Sequence, residues 1–174
     1  MNRRSLFGIL AGSVVGLWMA APLQAQTTGE QPPLVNIKRL SLESALTVAK
    51  GAIDECRRQG VQIAVTVIDR GGHPQVVLRD VLAMDITLEI SRKKAHTAMA
   101  FNMPTSQMEG RFAGNYSVPK IDTLLVAAGG VPIVAGGSIL GGVGVSGAPS
   151  GKIDEACAQA GVHAVMEELE LADF

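Results

Sequence analysis

The chain has 174 residues, with 15 Lys and Arg against 16 Asp and Glu and a net charge of −1, so no basic excess is available to grip a phosphate backbone. Aromatic residues make up only 3% of it, too few for the stacking platforms that bind sugars and bases. Nucleic acid is therefore not an expected partner.

Residues 1–25 follow the pattern of a cleavable export signal. Arg3 and Arg4 precede an apolar run from Leu6 to Ala21, and Leu23-Gln24-Ala25 forms a small-residue cleavage site. The run is short and stops at Pro22, which suits a removed signal better than an anchor, so no membrane association is expected after cleavage. The pair Arg3-Arg4 before Ser5-Leu6-Phe7 also resembles a twin-arginine signal, although adjacent arginines are ordinary in Sec signals too. Either route makes the protein periplasmic or secreted. Residues 26–39, with Pro32-Pro33, read as a flexible arm, and 40–170 as one domain large enough to bury a core.

A first helix is expected from Ser41, an N-cap residue with Glu43 in the first turn, to Gly60. Its apolar stripe is Leu42, Ala45, Leu46, Ala49, Ile53 and Cys56. Val61 to Asp69 alternates as a strand, Asp69-Arg70-Gly71-Gly72 is a turn, and His73-Pro74 opens a return strand ending at Arg79-Asp80. A second helix is predicted from about Met84 to Phe101. Met84, Leu88, Ser91, Ala95 and Met99 share one face, and Asp85, Glu89, Arg92 and His96 another. Pro104 ends it, and 110–120 is expected to be a loop. The last helix should bury Ile153, Ala156, Cys157, Ala160, Ala164, Val165 and Leu169.

Between these helices lies the most unusual stretch, rich in glycine yet interleaved with Val131, Ile133, Val134, Ile139, Leu140, Val143 and Val145. It reads as a hairpin, VPIVA out and SILGGVGVSG back, turning at Gly136-Gly137. Glycines within the returning strand remove side chains where another backbone or a flat ligand must come close. On the second reading they open a flat, aliphatic slot for a planar guest.

Several segments, in order, resemble the GlcG/HbpS family, which includes the C-terminal domain of PduO-type proteins. They are VTVIDRGGHP at 65–74, Arg79-Asp80, KKAHTA at 93–98, Met103-Pro104-Thr105, GGVPIV at 129–134, GGVGVSGA at 141–148 and IDEACAQAG at 153–161. The resemblance spans roughly 40–168. It implies a profilin-like α/β (α+β) domain with an antiparallel sheet and packed helices, assembled as a homo-oligomer. It also implies haem as cofactor, with links in some relatives to haem degradation or redox sensing, and in others to glycolate or corrinoid pathways.

Against that background the ligand-binding candidates are His73, His96, Lys94, Arg79 and Thr105. His73, after the turn, is the candidate haem-iron ligand, the alternative being a solvated turn residue. His96 sits in the family segment KKAHTA but also in a charged helical stripe that solvent alone would explain. Lys94 and Arg79 suit either a ligand carboxylate, such as a haem propionate, or ion pairs with Asp69 or Asp80. Thr105 offers a hydroxyl to a ligand or caps a short helix. Met103 and Met108 flank that segment, and His163 carries no expected chemistry.

The turn before Lys152 presents backbone amides to an anion, unless Asp154 and Glu155 satisfy the helix start themselves. Cys56 and Cys157 lie on the stripes of the first and last helices, and an exported chain allows them to pair, buried free thiols being the alternative. No catalytic constellation emerges from the sequence. The alternative readings are an enzyme holding a small organic acid through Lys94 and Arg79, and a non-catalytic oligomeric interaction protein.

Overall fold

A computed structural model describes residues 32–112, 114 and 118–172. The export-signal reading of 1–25 lies outside the described residues, as do most of the arm before Pro32 and part of the loop at 110–120. The main compact unit begins at Asn36.

Within that unit the order is α1 (Leu42–Arg58), β1 (Ala64–Asp69), β2 (Pro74–Arg79), α2 (Ile86–Phe101), β3 (Gly130–Ala135), β4 (Ser138–Ser146) and α3 (Gly151–Glu170). Short 3-10 turns occupy Thr105–Met108 and Val118–Lys120. The strands form one antiparallel sheet in the order β2-β1-β4-β3, giving the α+β fold expected from the sequence. Both hairpins carry one register shift, between Val67 and Ile68 and between Ile133 and Val134, and Gly136 (φ 54°) and Gly137 (φ 72°) supply the left-handed pair that closes β3 onto β4.

Side chains alternate across the sheet, so each strand serves two layers. Ile63, Val65, Val67, Val143 and Val145 face a core shared with Val48, Ala52 and Val165 of α1 and α3. A fully buried valine or isoleucine contributes about 1.5–3 kcal/mol, so this layer dominates stability. The disulfide Cys56–Cys157 joins α1 to α3 inside it, with Cα atoms 5.5 Å apart. Ser41 starts α1 as expected, its Oγ accepting from the Ser44 amide at 3.0 Å.

The opposite face is covered by α2, and its contact is polar and small. Thr66 Oγ1 lies 2.8 Å from Ser91 Oγ, and Thr87, Ser91, Lys94, Ala95, Thr97 and Ala98 are the buried residues of the helix. Here lies the main correction to the glycine-rich hairpin. A Cβ added at Gly144 would lie 2.0 Å from the Ser91 carbonyl oxygen, and one at Gly142 would lie 2.6 Å from that of Ala95. Gly130 likewise meets the Lys94 carbonyl at 2.3 Å. The flat slot is filled by α2 itself. Glycine is required there because a helix backbone sits directly on a strand backbone, the first of the two readings.

Two smaller differences have the same origin. Met84 lies before α2 and is 67% exposed, because the buried face is set by Ser91 and Ala95 and not by the longer side chains. In α3 the buried face turns toward Asp154, Glu155, Ala158 and Gly161, leaving Ala156 and Ala164 outside. An apolar stripe cannot reveal a face whose inward residues are charged.

Candidate functional site

The turn between β1 and β2 is held by one carboxylate. Asp69 Oδ1 accepts from the amides of Gly71 (2.8 Å) and His73 (3.0 Å), and Oδ2 accepts from Arg39 at 3.2 Å. Burial works to raise the Asp69 pKa, but those two amides, Arg39 and His73 outweigh it and hold the carboxyl below its usual range. A register shift between Val67 and Ile68 bends β1 just before the turn.

That bend sets the glycine pair against α2. A Cβ at Gly72 (φ 84°) would lie 3.0 Å from His96 Cδ2, 3.2 Å from His96 Nε2 and 3.7 Å from Met99 Cε. One at Gly71 would lie 2.9 Å from His73 Nδ1. The two histidines, 23 positions apart in sequence, thus flank one glycine pair. Glycine at position 72 suits the positive φ and lets the turn backbone pack against the Cδ2–Nε2 edge of His96, where a side chain would be crowded.

His73 is exposed, and its Nδ1 stands 3.5 Å from Asp69 Oδ1. His96 is half-buried, and its Nδ1 is shut off from solvent without a hydrogen-bond partner. Burial, and then the charge of Arg92, depress its pKa, so the imidazole is neutral and keeps a lone pair for a metal. Arg70 in the turn and Arg39 beside Asp69 are exposed, adding cationic groups around the histidines.

The other sequence candidates lie elsewhere. Lys94 is buried, donating to Asp154 Oδ2 at 2.7 Å and the Val145 carbonyl at 3.0 Å, so its partner is neither a ligand nor Asp69 or Asp80. Thr105 is fully buried and its Oγ1 accepts from the Gly130 amide at 2.8 Å, which pins β3 and makes it neither a cap nor a ligand contact. The cap position there belongs to Pro104. At the α3 start, Ser150 Oγ accepts from Ile153, Asp154 from Ala148, and Glu155 from Ser106 and Gly129. The Ser150 cap and Asp154 thus take the Ile153 and Ala148 amides at this turn, while Glu155 reaches away to the 3-10 turn and the start of β3.

Arg79 is exposed, donates to the Ala83 carbonyl and borders a cleft of about 360 Å³ between α1 and β2. Lys50, Asp54 and Arg57 of α1 line it too, and no reading of the sequence singled them out. Their spacing was the available signal: with Ile53 they occupy i, i+3, i+4 and i+7 of one helix face.

The family described as "Haem degrading protein HbpS-like" matches residues 40–163. The chain belongs to the HbpS-like family. Within it, the fold is similar to a crystal structure of Streptomyces reticuli HbpS, a double mutant, at 35% identity and a TM-score of 0.73, covering 84% of this chain and 98% of that one. It is also similar to a crystal structure of a PduOC–haem complex, at 25% identity and a TM-score of 0.68, over 72% and 94% of the two chains. Protein GlcG of Escherichia coli is 31% identical over 108 residues, 62% of this chain and 81% of GlcG. The matched span of this HbpS-like chain contains the histidine-flanked turn, the α2 segment facing it and both cysteines.

Proposed function

We propose that this is an exported haem-binding protein whose haem site is the β1–β2 turn and the adjoining face of α2, with His96 the iron ligand and His73 beside it. The observation that carries the reading is the glycine pair between two imidazoles, one of them neutral and unpartnered at Nδ1. Nε2, on the ring edge that faces the turn, is the nitrogen that would meet the iron, since Nδ1 is enclosed by the protein. The requirements of haem are met by distinct residues. His96 offers Nε2, Gly71 and Gly72 let the turn backbone lie close to both imidazoles, Met99 offers an apolar contact, and Arg39, Arg70 and Arg92 offer guanidinium groups for propionate carboxylates. Bound haem would supply the redox chemistry, including any oxidative turnover of the macrocycle. The chain's part is to bind, orient and partly shield it.

Family membership and the haem complex of PduOC support the ligand. Export through the 1–25 signal, and a periplasmic or secreted location, fit the Cys56–Cys157 disulfide, because such bonds persist in oxidising compartments. Assembly as a homo-oligomer belongs to the same proposal.

Hemin titrated into the purified mature protein should give a saturable Soret band. His96→Ala should move that band and weaken binding about tenfold or more, as loss of a metal ligand does, while His73→Ala has the smaller effect. Binding no better than to an unrelated protein of similar charge, or a His96→Ala spectrum identical to wild type, would overturn the assignment.

A further inference from the structure

The cleft between α1 and β2 takes no part in haem binding as proposed above. We infer that it is a second site, for a small organic carboxylate carrying a neighbouring hydrogen-bond donor, the chemistry shared by amino acids and hydroxy acids. Its volume of about 360 Å³ lies at the lower end of the range for small-molecule clefts, and it is open on one side. Ile53, 5% exposed, and half-buried Leu78 form an apolar floor.

The charges around that floor are unequally committed. Asp80 is buried and matched within the chain: it accepts from Arg57 Nε at 3.0 Å and Nη2 at 2.5 Å, and from the Ile63 amide at 3.3 Å. This pairing anchors Arg57 at the rim while its Nη1 makes no hydrogen bond to another described residue. Lys50 and Asp54 are exposed. Although spaced i, i+4 on α1, where opposite charges ordinarily meet, they form no salt bridge with each other, and the charge of Asp54 is felt by Arg57 only after the direct bond and charge of Asp80. Along α1 the cleft therefore presents the Lys50 ammonium, the Asp54 carboxylate one turn on, and a guanidinium N–H of Arg57 about one turn beyond that. A cation next to Asp54 can take the ligand's carboxylate while Asp54 accepts from the ligand's own donor. A simple anion would use only half of this arrangement, and a simple amine would be repelled by the rest.

The test uses the mature chain, with titration calorimetry and thermal denaturation against a panel of L-amino acids and 2-hydroxy acids. Butyrate, which lacks the donor, and sulfate serve as comparison anions. At least one amino or hydroxy acid should bind saturably and more tightly than either. Lys50→Ala should weaken that binding about tenfold, while hemin binding by the same variant stays unchanged. Asp54→Asn should remove the preference over butyrate, and the loss is larger if the ligand is an amino acid, whose ammonium needs a carboxylate. Both positions are exposed, so the variants keep the fold, which circular dichroism verifies. Absence of saturable binding across the panel, equal stabilisation by sulfate, or unaltered affinity in Lys50→Ala would overturn the site.

Discussion

Lys94 Nζ lies 2.7 Å from Asp154 Oδ2, with both side chains 5% exposed, so a lysine of the helix on one sheet face reaches the helix on the other. Gly129 leaves the passage: a Cβ there would stand 2.6 Å from the ammonium. The Val145 carbonyl and the Ala148 amide complete the pair's hydrogen bonding. Burial pushes the Asp154 carboxyl above the ordinary carboxylate range, while Lys94 and the Ala148 amide pull it back. Removing the cation therefore strands a buried acid. Lys94→Met should cost about 3–5 kcal/mol in urea denaturation, and adding Asp154→Asn should recover part of it by removing the stranded charge. An equal loss in the double variant would mean that packing, not charge, holds the junction.

The glycine contacts make a prediction of their own. At Gly144 a methyl group would meet the Ser91 carbonyl oxygen at 2.0 Å and the Ala95 amide at 2.5 Å, both backbone atoms that cannot step aside. Gly144→Ala should force α2 off the sheet and cost about 1–3 kcal/mol or more. Gly137→Asn is the comparison. Its φ of 72° suits asparagine and nothing lies within 4 Å, so its melting temperature should stay near wild type.

These two positions also mark what can be read from the residues alone. The Gly136-Gly137 turn, the Ser41 cap and a strand at β1 are local signals, and the structure contains each of them, although β1 is buried along its whole length and not alternately. The reason for Gly142 and Gly144 is not local. The same absence of a side chain admits a helix or a ligand, and only the position of α2 decides between them. Lys94 and Thr105 were legible as unusual residues, but their partners at Asp154 and Gly130 are 60 and 25 positions away. The approach of His73 to His96 across the glycine pair depends on how the bent hairpin meets α2, which periodicity does not encode.

The Cys56–Cys157 bond closes a sequence separation of 101 residues between α1 and α3. A cross-link over so long a loop restricts the unfolded chain strongly, by about 4.7 kcal/mol in the chain-entropy account. Cys56→Ala with Cys157→Ala should thus lower stability by several kcal/mol, adding the small cavity cost of two buried sulfurs. Denaturation of the wild type with and without a reductant checks it. A reduced protein as stable as the oxidised one would show that packing of α1 on α3 suffices without the bond.

The last expectation concerns acid. Burial, and after it Arg92, hold the His96 pKa below its ordinary value near 6.5, so the folded protein takes up this proton later than the unfolded chain. The linkage sign follows directly: where the unfolded state binds more protons, stability rises with increasing pH and is lost on acidification. The contribution of His96 is therefore complete above about pH 6.5 and is lost as pH falls through that value toward the lower folded pKa. In the haem-free protein, urea midpoints measured from pH 8 to pH 5 should decline more steeply for wild type than for His96→Gln, which cannot protonate there. Imidazole NMR titration of the same residue should show the depressed value directly. Parallel curves for the two proteins would refute a neutral His96 in the folded state, which the proposed iron-binding role requires.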